Sequence, residues 1–146
     1  MSKAKEQRAG ARTLFTSRDK PGIIADTLVV RADILRDRPK DVEAVVAALF
    51  DATAELKANP VEMNAIAGKG LGLSADEFAE QAKTVRFLTP EENMMLFDRA
   101  APHNLYELTR NAAEIFRTDD VIRGEVNADA VVDPSVMRAY ISHIVR

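Results

Sequence analysis

The residues able to do chemistry are few, and their spacing narrows what they can do. His103 and His143 lie far apart, and the chain has no cysteine. No pair of histidines sits at helical ligand spacing, so a zinc-type centre has no donor set. Glu91 and Glu92 are adjacent carboxylates, but they follow Thr89-Pro90. There a first helical turn accounts for them by capping and by the helix dipole. Gly68-Lys69-Gly70-Leu71-Gly72 is glycine-rich like a phosphate loop. That loop requires GxxxxGK[ST] between a strand and a helix; here the spacing fails and the flanks read as helical. A turn between helices is expected instead. Met94-Met95, Met63 and Met137 read as core filler. No Ser–His–Asp order, metal cluster or dinucleotide loop can be assembled. The residues make no case for catalysis, and no cofactor is expected.

The 146 residues suit one domain spanning 1–146, and 47% hydrophobic with 29% charged residues fits a folded globular chain. Net charge is −3 with pI ≈ 5.4, which argues against nucleic acid as a partner. The charge is uneven: residues 1–20 hold six basic and two acidic groups, and the remainder is acidic. No apolar run reaches the roughly 18–20 residues of a membrane span. The opening Met1-Ser2-Lys3-Ala4-Lys5-Glu6-Gln7-Arg8 lacks the apolar stretch of a signal peptide, so as written the polypeptide is expected in the cytoplasm.

Local signals predict the elements. Residues 2–9 read as a polar helix ending at Gly10. Arg12-Thr13-Leu14-Phe15-Thr16 reads as a short strand, Lys20-Pro21-Gly22 as a turn, and Thr27-Leu28-Val29-Val30 as a second strand buried on both faces. From Pro39 the pattern is helical, with Val42, Val45, Val46, Leu49, Phe50 and Leu56 on one face. Asn59-Pro60 starts another helix with Met63, Ile66 and Ala67 inward, and Gly68, Gly70 and Gly72 break it. Ser74 and Thr89 open capping boxes. A longer helix carries Leu105, Leu108, Ala112, Ile115 and Phe116. After a polar loop, Asp133-Pro134 opens the last helix, with Val136, Met137, Tyr140, Ile141 and Ile144 inward. The expected class is α/β and helix-rich: two short strands followed by about six helices.

Three segments in this order carry a family resemblance. The first runs through Leu14-Phe15-Thr16-Ser17, Asp26-Thr27-Leu28-Val29-Val30-Arg31 and Ala32-Asp33-Ile34-Leu35. The second is Arg38-Pro39-Lys40-Asp41-Val42 leading to Ala58-Asn59-Pro60. The third is Leu71-Gly72-Leu73-Ser74, then Glu92-Asn93 and Asn104-Leu105-Tyr106-Glu107. Together they resemble the C-terminal portion of the solute-binding proteins of ABC importers, nitrate/sulfonate/taurine class. The resemblance implies a partial lobe of a type II periplasmic-binding-protein fold and a periplasmic location. It also implies a small anionic or zwitterionic solute, and an ABC permease as partner of the whole protein. Under it, Asp26 at the strand entry receives a solute ammonium, while Thr16, Ser17 and Thr27 offer donors to a sulfonate or nitrate oxygen. The plainer reading of these residues is strand-end and turn hydrogen bonding.

A stand-alone helical interaction protein is the rival of a different class, with a homodimer as one form. Thiamine-pyrimidine-synthase-like enzymes resemble the same superfamily, but that reading needs a reactive cysteine the chain does not have. The strand at Leu28-Val29-Val30 and the face from Val42 to Leu56 both ask for apolar cover, so self-association is expected.

Overall fold

The computed structural model describes residues 7–19 and 24–144, and among them the chain is all-helical. Among the described residues, eight α-helices follow a 3₁₀ turn at Ser17–Asp19: α1 (Ala32–Asp37), α2 (Pro39–Ala58), α3 (Pro60–Leu71), α4 (Ala75–Ala82), α5 (Pro90–Leu96), α6 (Leu105–Thr118), α7 (Ala128–Val131) and α8 (Ser135–Ile144).

Local chemistry sets most helix ends. Pro39, Pro60 and Pro90 stand at first helical positions, where a missing N–H costs nothing and the fixed φ fits. Ser74 and Thr89 complete capping boxes. The Ser74 hydroxyl accepts from the Glu77 N–H at 3.2 Å, and the Glu77 carboxylate accepts from the Ser74 N–H at 2.8 Å. Thr89 and Glu92 exchange the same bonds at 3.2 and 2.9 Å. Asn104 caps α6 through its carbonyl oxygen, which accepts from the Glu107 N–H at 3.0 Å. At the other end of α3, Gly72 is left-handed (φ 71°), and the Leu73 N–H donates to the Gly68 carbonyl at 2.8 Å.

The helices pair along the chain and once across it. α2 is the hub, packing against α1, α3 and α8; α4 lies on α3, α5 on α8, and α7 on α6. Val42 and Val46 of α2 and Met137 of α8 are buried, and Phe50 stacks on Tyr140. A second small centre joins Tyr106 of α6 to Ala128 of α7. Asn104, the one buried polar side chain among the described residues, donates to the Arg99 and Ala101 carbonyls at 3.2 and 2.8 Å. Arg99 lies over the Tyr106 ring, 3.9 Å from its centre, and pairs with Asp129.

The two expected strands are not formed, and the class is all-α rather than α/β. Residues 11–16 and 25–31, in the N-terminal arm before α1, form no regular structure and pair with no strand. Leu28 and Val29 are 51% and 84% exposed instead of buried on both faces. β-propensity expresses a fit to neighbouring strands, and no other described segment forms a strand to receive these two. The expected turn at residues 20–22 lies outside the described residues, as do residues 2–6 of the expected first helix. Gln7 is helical and the chain turns through Gly10.

Other expectations are also corrected. α1 and α7 stand where no helix was expected, and α3 runs through Gly68 and Gly70 before stopping at Gly72. Several inward positions are open to solvent: Val45 and Leu49 on α2, Ile66 on α3, Ala112, Ile115 and Phe116 on α6, and Ile144 on α8. The periodicity is real, but the covering neighbour is absent from these faces.

That lack of cover is large. The chain exposes 11566 Å², against roughly 7,400 Å² for a compact monomer of its mass. No described side chain falls below 2% exposure.

Candidate functional site

The residues singled out from the sequence lie along the arm. The Thr16 N–H and hydroxyl both donate to Asp19 Oδ2, at 2.6 and 2.9 Å. Those two bonds hold the Asp19 carboxyl below its ordinary pKa, the backbone bond being the larger cause. Thr16 thus closes a local turn, and Ser17 opens the 3₁₀ turn Ser17–Asp19 inside it. This matches the plainer turn reading of these hydroxyls. Asp26 and Thr27 are exposed on the segment that leads into α1. None of the four lines either of the two best-formed depressions of the surface.

The better-enclosed of those two depressions is a groove of about 430 Å³ where α1 and the start of α2 meet α8. Leu35, Pro39, Val136 and Ala139 make its apolar wall, and Glu43 and Asp133 are its acids. Arg36, also on its wall, is paired with Asp37 at 2.7 Å. Beside it, His143 of α8 reaches Glu43 of α2 at 2.5 Å, with the carboxyl side chain 22% exposed and the imidazole 62%. The second depression is a shallow surface on α6 around Asn111, Ile115 and Asp119. The described residues hold no cluster of three or more metal-type ligands.

The sequence reading missed the groove. Its wall comes from α1, which is too short to show a helical period, and from positions of α2 and α8 far apart in the chain. The pairing of His143 with Glu43 had no sequence signal at all.

Comparison with family models, curated proteins and solved structures returned no match. The site stands on its own geometry. Among the described residues no helix is long and apolar enough to cross a membrane.

Proposed function

We propose that this chain works as part of the solute-binding component of an ABC importer of the nitrate/sulfonate/taurine class. The observation that supports the reading best is where the resembling segments fall. Arg38-Pro39 opens α2, Asn59-Pro60 joins α2 to α3, and Gly72 through Ser74 turns α3 into α4. Glu92 closes the α5 capping box, and Asn104 caps α6. The second and third segments thus meet helix ends, while the first lies on the arm and reaches a helix only at Ala32, where α1 begins.

The open apolar faces of α2, α3 and α6 fit this role, since such helices pack against further polypeptide in a larger binding body. In that body Asp26 receives a solute ammonium, and Thr16, Ser17 and Thr27 donate to its anionic end. The work is hydrogen bonding and ion pairing, with no covalent step. The location that goes with this role is the periplasm, and the permease is the partner.

Calorimetry with taurine, ethanesulfonate and nitrate tests it. The isolated chain should give no heat in the micromolar range, because its candidate ligands are spread along an open arm. Co-expression with neighbouring reading frames should restore micromolar binding. Micromolar affinity in the isolated chain would make the site self-contained and overturn this account of it. No binding in either case would favour the second reading, a helical interaction protein. That reading draws support from the all-helical architecture and its exposed apolar stripes.

A further inference from the structure

We propose that two copies of this chain associate by exchanging their N-terminal arms, the segment around Leu14-Phe15 of each copy seating in the α1–α2–α8 groove of the other. The arm has the composition of a ligand and no use for it within its own chain. Leu14 and Phe15 are 86% and 62% exposed, and Ile24 and Val29 are 75% and 84% exposed. Large apolar side chains gain about 25 cal/mol for each Å² they hide.

Charge selects the groove as their seat. Residues 1–20 carry a net +4 and the rest of the chain a net −7. Arg12 and Arg18 flank Leu14-Phe15 on the arm. Glu43, which pairs with His143, and Asp133, which accepts from the Ser135 N–H at 2.8 Å, sit beside the apolar wall formed by Leu35, Pro39, Val136 and Ala139. Arg36, the one base among the groove's residues, is already matched by Asp37. An apolar segment between two arginines thus meets an apolar wall with acids.

Geometry and area favour a second copy as the occupant. The arm enters α1 at Ala32, which itself lines the groove. In a symmetric pair with its two-fold axis beside that rim, each arm would lie next to the partner's groove, and one residue of extended chain would cover about 3.3 Å. The surface exposed beyond that of a compact monomer is roughly 4,100 Å². A stable interface needs about 1,200–2,000 Å², so exchange can be met while the faces at Ile66, Ile115 and Phe116 stay open.

The test uses the full chain and its lack of cysteine. Light scattering should give a dimer at micromolar concentration, with or without solute. Phe15→Asp should weaken it by about tenfold or more, as loss of an apolar anchor does. Circular dichroism establishes that the variant keeps its helices. Phe15→Cys and Ala139→Cys proteins, mixed and oxidised, should form a disulfide-linked heterodimer through positions 15 and 139. A cooperatively melting monomer would overturn the proposal. So would a dimer that Phe15→Asp leaves intact, or mixed single-cysteine proteins that form no disulfide between positions 15 and 139. None of these outcomes depends on whether the chain binds a sulfonate.

Discussion

The rings of Phe50 on α2 and Tyr140 on α8 stack with centres 5.2 Å apart and planes 17° from parallel. This contact joins the hub helix to the last helix, and it extends the buried line of Val42, Val46 and Met137. Tyr140→Ala should therefore cost about 2 kcal/mol, less than a fully buried aromatic because the ring is half-buried. Phe50→Leu keeps volume but loses the stacking, at about 1 kcal/mol. Urea unfolding followed by circular dichroism measures both.

Burial, with Asp51 and Glu91 adding like-charge repulsion, pushes the Tyr140 hydroxyl above its ordinary pKa of 10. The folded state therefore holds this proton longer than the unfolded chain. Stability should be unaffected below pH 10 and should fall as the pH rises beyond it. Absorbance titration near 295 nm should show Tyr140 ionising late, and Tyr140→Phe should remove that late phase.

Two glycines of one helix should respond oppositely to alanine. A Cβ on Gly68 would sit 2.8 Å from the Ser74 carbonyl oxygen, so Gly68→Ala must push α3 and α4 apart, costing about 1–3 kcal/mol. Gly70 has open space at the same point, so Gly70→Ala should stabilise by about 0.5–1 kcal/mol. Thermal melts of the two variants should move in opposite directions.

The capping boxes should govern acid stability. The Ser74 N–H and hydroxyl hold the Glu77 carboxyl below its usual 4.5, and the Thr89 N–H, then Arg86, do so for Glu92. Depressed carboxylates contribute fully above the unfolded pKa, and that contribution is lost as the pH falls through the folded values. Ser74→Ala and Thr89→Ala should each cost about 1 kcal/mol at neutral pH. Both variants should also flatten the loss of helicity below pH 4.5.

If the proposed solute-binding role holds, Asp26→Asn in the larger binding body should weaken taurine by about 1.5–3 kcal/mol and leave ethanesulfonate, which has no amine, unchanged. Equal losses for both solutes, or a change in melting temperature alone, would assign Asp26 a structural part.

Legibility in the sequence followed the range of the forces involved. Caps at Ser74, Thr89 and Asn104, and the first-turn prolines, act over three or four residues, so their positions could be read directly. The strands could not, because Leu28 and Val29 become a strand only against backbone from elsewhere. Periodicity marked Val45, Leu49, Ile115 and Phe116 as inward and all four are exposed, because it carries no information on whether a neighbour arrives to cover that side. The groove needed α1, α2 and α8 in one place, and no local signal specifies that meeting. Of the candidate site, only the turn chemistry of Thr16 and Ser17 was legible.

The N-terminal arm also determines how the chain is dismantled. Proteases need exposed backbone outside helices, and residues 11–16 and 25–29 are exposed and free of regular structure. In the monomer, trypsin should cut first after Arg12 and Arg31, without waiting for unfolding, and leave a helical remnant starting at Ala32, whereas exchange of arms should slow the cut after Arg12. Digestion of the arm should then be nearly independent of temperature, while digestion of α2 and α8 should track the melt.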